Sequence, residues 1–217
     1  MNKSAQKSLY IALLLLAAFT LWTAAVCLID VKPVGPMASS VGFAALNSGF
    51  HDLTGVHMAL YHITDWLSLV PVGFCLGFAL LGLIQWITRK HLLKVDFSIL
   101  VLGGFYLAVM AVYVLFEKVI INHRPVLIDG ALEASYPSST TMLVLCVLPT
   151  AILQLRQRIR NRPVRRFVCV SMAFFTLFMF AGRLLSGVHW LTDIIGGALV
   201  SAGLVTLYHA ICRLKAS

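Results

Sequence analysis

Charged side chains are scarce in this sequence, and acidic ones are the scarcest. Only 12% of the 217 residues are charged, about half the share of an ordinary soluble domain. Eight Asp and Glu stand against 17 Lys and Arg, so the net charge is +9. Because a soluble chain of this length cannot bury the 60% of residues that are apolar, we expect the chain to lie in a lipid bilayer.

Paired cysteines, linkers and low-complexity segments are lacking as well. The five cysteines each lie inside an apolar run, and none forms a C-x-x-C pair. This distribution excludes a secreted disulfide scaffold and predicts small buried apolar side chains rather than metal ligands. Since no linker divides the sequence, we expect a single domain over residues 1–217.

Six apolar runs are each close to the roughly 20 residues that cross a bilayer. They cover residues 9–29, 66–88, 97–116, 139–155, 167–182 and 194–212. The first run is too long for the apolar part of a typical signal peptide, and no A-x-A cleavage site follows it, so we expect a retained span. The sequence therefore predicts an all-α integral membrane bundle of six transmembrane helices with both termini on one side.

The basic residues sort to one side of this bundle. Thirteen of the 17 lysines and arginines lie before the first run, after the second, after the fourth or after the sixth. The positive-inside rule makes that side cytoplasmic, with both termini there, in a multi-pass protein of the cell (inner) membrane. The positive charge is thus a topology signal, and we expect no nucleic-acid partner.

The segment 31–65 is the longest stretch outside the predicted spans. Its early prolines exclude a helix at the start, and Ser39 and Ser40 are candidates for a helix cap. Apolar residues then recur at helical spacing, at Phe43, Leu46, Phe50 and Leu53. We expect an extracytoplasmic amphipathic helix here. The His and Asp residues of this segment have no metal-ligand spacing such as H-E-x-x-H, which favours interfacial polar groups over metal ligands.

Ionisable residues at the ends of spans are the strongest candidates for a site in a membrane protein. Arg183 ends the fifth run, and His189 and Asp193 precede the sixth. The spacing of four predicts that His189 and Asp193 share a helix face. A carboxylate beside an imidazole fixes its tautomer and stabilises its charged form, leaving the other ring nitrogen free to react. A neighbouring arginine suits an anionic substrate, above all phosphate.

A second polar group precedes the fourth span. Arg124 is followed by Pro125, which restricts the backbone around the arginine. Ser138, Ser139 and Thr140 then stand where the helix should begin. They are either helix caps or ligands for an anion at the positive end of the helix, and both roles are compatible.

The polar residues before the fourth span and around the start of the sixth form three short sequence blocks. Together these blocks resemble the type 2 phosphatidic acid phosphatase (PAP2) superfamily of membrane lipid phosphatases. The family pattern is K-x6-R-P, then P-S-G-H, then S-R-x5-H-x3-D. The matching residues are Lys118, Arg124 and Pro125, then Pro137 to Thr140, then Gly182, Arg183, His189 and Asp193.

The resemblance implies a two-step phosphoryl transfer without metal or cofactor. His189 would attack phosphorus, oriented by Asp193, and water would release phosphate from the phosphohistidine. The phosphate would be bound by Lys118, Arg124, Arg183 and the Ser138, Ser139 and Thr140 segment. The implied substrate is a lipid phosphate or diphosphate, met at the outer face of the membrane.

Three departures from the family pattern bear on the chemistry. Five residues separate Lys118 from Arg124 where the family has six, and Gly182 replaces a serine. Thr140 replaces the family histidine that protonates the leaving group, which threonine cannot do at neutral pH. His123 is a candidate substitute acid, although it also fits a polar loop residue.

The missing acid suggests a substrate that does not need one. Phosphatidate expels a basic alkoxide, whereas a lipid diphosphate expels a far less basic phosphate monoester. The sequence therefore favours a polyprenyl diphosphate, with undecaprenyl diphosphate as the bacterial example that family analogy implies. One alternative is a degenerate relative that binds phospholipid headgroups, or a lipid phosphotransferase. Another is a small transporter or structural membrane protein, which would carry charges within its spans.

Overall fold

The computed structural model describes residues 3–215, and its regular structure is almost entirely helical. In that part of the chain the α-helices are α1 (Lys3–Leu28), α2 (Ala44–Thr54), α3 (Met58–Leu67), α4 (Leu69–Arg89), α5 (Phe97–Lys118), α6 (Ser139–Arg158), α7 (Arg162–Leu185) and α8 (Leu191–Lys215). Two 3-10 turns cover Pro36–Ala38 and Leu92–Lys94. The described residues contain isolated antiparallel bridges but no longer strand.

Six helical segments among the described residues are long and apolar enough to cross a membrane. They are α1, α3 with α4 as one segment, α5, α6, α7 and α8. The predicted all-α class and the six predicted spans are therefore confirmed. The second segment begins at Met58, eight residues before the predicted start at 66. His62 and Asp65 consequently lie on a helix and not in a loop.

The predicted amphipathic helix is present as α2, but its predicted cap is wrong. The N-cap residue is Phe43, in a left-handed conformation with φ of 49°. Ser39 and Ser40 precede it inside a closed loop, because the backbones of Lys32 and Val41 exchange hydrogen bonds of 3.1 and 2.9 Å. That pairing closes the loop before α2 begins at Ala44, so Ser39 and Ser40 lie outside the first turn of the helix.

The core of the bundle lies along α6 and α8. About half of the residues in these two helices are buried inside the protein, whereas the other spans mostly face outward. α8 packs along α1, where Gly203 allows close contact because a Cβ there would lie 2.8 Å from Cδ2 of Leu16. The second sequence block leads into α6, and Asp193 of the third block lies in the first turn of α8.

The prediction of buried cysteines is correct only for Cys146. Cys27 is exposed, the other three are half-buried, and all five are free thiols. An apolar run in a membrane protein can face lipid as easily as protein, so apolar neighbours in the sequence did not determine burial against protein.

Candidate active site

Polar side chains that are buried against protein gather at one end of the bundle. They come from the loop between α5 and α6, the first turns of α6 and α8, the end of α7, and the loop before α8. The set is Asn122, Arg124, Ser135, Ser138, Thr140, Arg183, His189 and Asp193. Buried ionisable groups require partners, and their partners define the geometry of the site.

The loop between α5 and α6 is folded back on itself. Asp129 and Gly130 both have positive φ, 50° and 78°, as a tight hairpin turn requires. On either side of the turn, the N–H of Arg124 donates to the carbonyl of Glu133 at 3.0 Å, and that of Ser135 donates to the carbonyl of Asn122 at 2.9 Å. This hairpin brings Ser135 and Arg124 to the same buried surface.

The loop before α8 carries His189. Gly187 has φ of 70°, and a Cβ there would lie 2.0 Å from the carbonyl oxygen of Gly55. Helix α8 begins only at Leu191, so the expectation that His189 and Asp193 share a helix face is wrong. The reason is a capping contact, in which the backbone N–H of Trp190 donates to Oδ2 of Asp193 at 3.0 Å and so marks the helix start.

A serine lies between the imidazole and the carboxylate. Oγ of Ser135 is 2.9 Å from Nδ1 of His189 and 2.6 Å from Oδ2 of Asp193. Among the described residues, no direct hydrogen bond joins His189 to Asp193. The Ser135 hydroxyl therefore connects the carboxylate to the imidazole, and Ser135 is a residue that the sequence blocks did not single out.

The Asp193 carboxylate is saturated by donors. Oδ1 accepts from Nδ2 of Asn122 at 3.0 Å and from Oγ1 of Thr192 at 3.4 Å. Oδ2 accepts from Ser135 and from the N–H of Trp190. Asn47 on α2 donates to Oγ1 of Thr192 at 2.9 Å and accepts from its N–H. The amphipathic helix thus supports the site from outside the bundle.

Arg124 faces the other ring nitrogen of the histidine. Its Nη1 lies 3.5 Å from Nε2 of His189. Its Nε forms an ion pair of 3.0 Å with Oε2 of Glu133, whose side chain is 44% exposed. The buried guanidinium therefore has a counterion that solvent can reach.

Arg183, at the end of α7, is held by α3 and α6. Its Nη2 donates to Oγ1 of Thr140 at 2.5 Å and lies 3.5 Å from Oδ1 of Asp65. Its Nη1 donates to Oγ1 of Thr64 at 3.4 Å. Sequence reasoning treated Asp65 as an interfacial polar group and missed Thr64, because it placed α3 in a loop.

The aromatic ring of Tyr61 joins the two arginines. The guanidinium carbons of Arg183 and Arg124 lie 4.9 and 5.9 Å from its ring centroid. A π-face at this range attracts a cation, more strongly where water is excluded. Tyr61 therefore offsets part of the repulsion between two buried positive charges.

The environment keeps the His189 imidazole neutral. Burial lowers its pKa well below the ordinary value of 6.5, and the positive charges of Arg124 and Arg183 lower it further. A neutral imidazole has a lone pair, which both a nucleophile and a base require.

The three residues at the start of α6 have different environments. Ser138 is the N-cap, and its Oγ accepts from the N–H and the hydroxyl of Thr141. Ser139 is half-buried, and Thr140 contacts Arg183. The capping role is therefore present at Ser138, and Thr140 is tied to the arginine of the third block.

Lys118 and His123 are the least connected of the predicted site residues. Lys118 is exposed at the C-terminal end of α5. In the described chain it has no hydrogen bond or ion pair. The backbone carbonyl of His123 accepts from the indole N–H of Trp190 at 2.8 Å, but its half-buried imidazole has no hydrogen bond with a described residue.

The glycine at position 182 has a packing reason. A Cβ there would lie 2.6 Å from Cγ2 of Thr64, so the serine of the PAP2 pattern would collide with α3. The glycine lets α3 approach α7 closely enough for Thr64 to accept from Arg183. The departure from the family pattern at Gly182 is thus explained by the close packing of Thr64 against this position.

Comparisons with known proteins agree with this architecture. The family model of the PAP2 superfamily matches residues 100–215. Among solved structures, the chain is similar to a transmembrane PAP2-type phosphatidylglycerolphosphate phosphatase from Bacillus subtilis, with 20% identity and a TM-score of 0.55. The match covers 95% of this chain and 97% of that one. No curated protein sequence matches this chain.

We expect Gly182→Ser to lower the stability of the protein. Adding Thr64→Ser to that variant should restore its stability. The new Cβ overpacks against the Thr64 methyl, at a cost of about 1–3 kcal/mol, or roughly 2–4 °C of melting temperature per kcal/mol. Thr64→Ser removes that methyl and keeps the hydroxyl that Arg183 uses. Melting in detergent checks this, with Gly73→Ser as the control because no atom lies within 4 Å of a Cβ there. Equal melting of Gly182→Ser and wild type would contradict the contact.

We also expect the His189 imidazole to remain neutral when the pH falls through 6.5. Its folded-state pKa is depressed, so protonation occurs only at lower pH. Arg124→Gln removes a positive neighbour and should raise that pKa. NMR titration of 15N-labelled imidazoles, with the His189 signals assigned from a His189→Gln variant, measures both. Arg156→Gln, at the far end of α6, is the control and should leave the titration unchanged. A midpoint at or above 6.5 in the wild type would refute the expectation.

Proposed function

The chain belongs to the PAP2 superfamily, and from that premise we propose that it is a membrane lipid phosphatase that hydrolyses its substrate through a phosphohistidine on His189, without a metal ion. The observation that carries the proposal is the environment of this side chain. Its Nδ1 contacts Ser135, and its Nε2 faces Arg124. A buried neutral imidazole with one nitrogen held and the other aimed at cations suits attack on a phosphate.

In the first step, the lone pair of Nε2 forms a bond to phosphorus and the bond from phosphorus to the leaving oxygen breaks with its electrons. In the second, a water oxygen bonds to phosphorus, the phosphorus–nitrogen bond breaks, and a water proton passes to solvent. Arg124 and Arg183 neutralise the charge on the phosphate oxygens in both steps. Phosphoryl transfer depends mainly on such positioning and charge stabilisation. Lys118 is the outermost cation of the set and would reach the phosphate only through its flexible side chain.

The environment of Thr140 supports a substrate with a good leaving group. Its Oγ1 is an acceptor for Arg183, and a hydroxyl with its ordinary acidity gives no general-acid help. A lipid diphosphate releases a weakly basic phosphate monoester and needs little such help. We therefore propose a polyprenyl diphosphate such as undecaprenyl diphosphate as the preferred substrate. His123 stays a candidate acid for poorer leaving groups.

A cavity beside the site supports a lipid substrate. It has a volume of about 400 Å³ and lies between α4, α5 and α6, with apolar lining residues that include Val72, Met110 and Leu143. Ser139 and Thr140 lie at its polar end. A hydrocarbon chain in this cavity would hold its phosphate next to Arg183 while the chain remained in the membrane.

The charge distribution supports a site outside the cytoplasm. The candidate site lies at the start of α6 and the end of α7, whereas the other ends of these helices flank the arginine-rich segment 156–166. A 20-residue helix is about 30 Å long, so we expect the two regions to face opposite sides of a bilayer. The positive-inside rule assigns the arginine-rich side to the cytoplasm.

We expect metal-independent phosphate release that disappears in His189→Ala. The assay uses detergent-purified protein with EDTA and offers undecaprenyl diphosphate, phosphatidate and phosphatidylglycerophosphate. His209→Ala, in the far half of α8, is the matched control and should keep its activity. Because a general acid contributes about 10²–10⁴-fold, kcat/KM should favour the diphosphate by at least about 100-fold.

A strong preference for phosphatidate would overturn the leaving-group argument but not the proposed lipid phosphatase activity. Release that persists in His189→Ala would overturn the phosphohistidine mechanism. If no lipid releases phosphate while headgroups still bind, the alternative replaces the proposal, namely a headgroup-binding relative or a phosphotransferase lacking its acceptor.

Filling the cavity should weaken binding of long lipids selectively. Leu143→Trp displaces about two methylene groups of a bound chain, and at about 0.8 kcal/mol each KM should rise roughly tenfold. A short-chain diphosphate should be unaffected. Leu107→Trp is the matched control, because Leu107 is 73% exposed on α5 and lies outside the lining. Equal effects of the two tryptophans, or equal effects on long and short substrates, would refute the cavity as the chain site.

A further inference from the structure

The hydroxyl of Ser135 has a single proton and two strong partners. It lies 2.6 Å from Oδ2 of Asp193 and 2.9 Å from Nδ1 of His189. An ionised carboxylate only accepts hydrogen bonds, so the serine proton is donated to Asp193. The serine oxygen can then only accept from the histidine, which requires a proton on Nδ1.

We propose that Ser135 is a positioning residue that fixes His189 as the Nδ1–H tautomer and so leaves the lone pair on Nε2 for attack on phosphate. The inference rests on the proposed function in that it takes His189 to be the nucleophile. Ser135 itself touches no reacting atom and acts through the imidazole.

The opposite tautomer is disfavoured at both ring nitrogens. A proton on Nε2 would point toward Nη1 of Arg124, 3.5 Å away, and a guanidinium offers no acceptor. A bare Nδ1 would draw the serine proton away from Asp193 and leave Oδ2 with one donor fewer. Both losses occur in a buried site, where an unmade hydrogen bond is costly.

Asp193 does not perform this task alone, because its lone pairs are already engaged. Apart from Ser135, it accepts from Asn122, Thr192 and the N–H of Trp190. These contacts hold the carboxylate at the start of α8, while His189 lies before the helix. The serine hydroxyl bridges the resulting gap.

Ser135 is itself held in position. It is 3% exposed, and its N–H donates to the carbonyl of Asn122 at 2.9 Å across the hairpin. The side chain of Asn122 also donates to Asp193 at 3.0 Å. One residue pair of the hairpin therefore supplies both the bridge and a support for the carboxylate.

The bridge also matters when the ring becomes charged. Bond formation at Nε2 makes the imidazole cationic, and its Nδ1–H becomes a stronger donor. The hydroxyl transmits that charge to Asp193 as a chain of two charge-assisted hydrogen bonds. No proton has to move along the chain.

The direct test is the tautomer of His189 by two-bond 1H–15N correlation NMR of the full-length protein in detergent. The wild type should show protonated Nδ1 and bare Nε2 at neutral pH. In Ser135→Ala, the Nδ1–H form should lose its dominance. A wild type with protonated Nε2, or a Ser135→Ala variant with an unchanged tautomer, would overturn the proposal. Neither the wild-type measurement nor the Ser135→Ala measurement depends on enzyme activity.

The kinetic test separates positioning from folding. A loss of alignment costs on the order of 100-fold in rate, so Ser135→Ala should lower kcat by about that factor and leave KM within about twofold. Ser135→Thr keeps a hydroxyl and should recover kcat to within about tenfold of wild type. Ser201→Ala is the matched control, a buried serine of α8 whose hydroxyl donates to the carbonyl of Gly197 at 2.6 Å, and it should keep full activity.

The outcomes distinguish the two proposals. If the wild type releases phosphate and Ser135→Ala keeps its kcat, the positioning role is wrong and the phosphatase stands. If the wild type releases no phosphate, the proposed function fails, while the tautomer measurement still decides the role of Ser135. If Ser135→Ala does not fold, a wild type with protonated Nε2 would still overturn the proposal, and Ser135→Thr, which keeps the hydroxyl, should keep the Nδ1–H tautomer.

Discussion

The buried carboxylate of Asp193 is the interaction on which the site depends. It collects donors from the hairpin through Asn122 and Ser135, from its own helix through Thr192, and from the start of α8 through the N–H of Trp190. A buried charge is tolerated only when such bonds replace water. The hairpin and the start of α8 must therefore meet correctly before the carboxylate is satisfied. The Ser135 hydroxyl also contacts Nδ1 of His189, so the network that satisfies the carboxylate also positions the imidazole.

The two buried arginines impose the second constraint. They lower the pKa of His189 together with burial, and they repel one another across Tyr61. Thr140 contributes to this arrangement as an acceptor for Arg183, a role that a hydroxyl fills at no electrostatic cost. A protonated histidine at the same position would add a third positive charge. Compared with a protonated histidine, the threonine thus reduces the repulsion within the site and also removes a proton donor. The charge balance is therefore linked to the leaving group that we propose.

Much of the fold was predictable because a helix that crosses a bilayer must be apolar and about 20 residues long. Six apolar runs, basic loops on one side and an amphipathic segment gave the spans, the all-α class and α2. The candidate residues of the three blocks could be identified from the sequence because the residues of each block lie close together along the chain. Ser135 was not, since it lies 54 residues from His189 and matches no spacing, and only the hairpin unites them. The Asp129-Gly130 turn is a known hairpin signal and was the one available clue. The start of α8, the early start of α3 and the fit of Gly182 against Thr64 depend on tertiary packing, which spacing in sequence does not encode.

The exposed carboxylates explain how a site this closed can accept an anion. Glu133 and Asp65 pair with Arg124 and Arg183, and their side chains are 44% and 54% exposed while the arginines are almost fully buried. Under the proposed function, an incoming phosphate would compete for the guanidinium groups with carboxylates that are already about half exposed to water. A displaced carboxylate regains hydration at once, whereas a stranded buried arginine would not. In the proposed reaction, the charge of the arginines would therefore be compensated before, during and after phosphate binding.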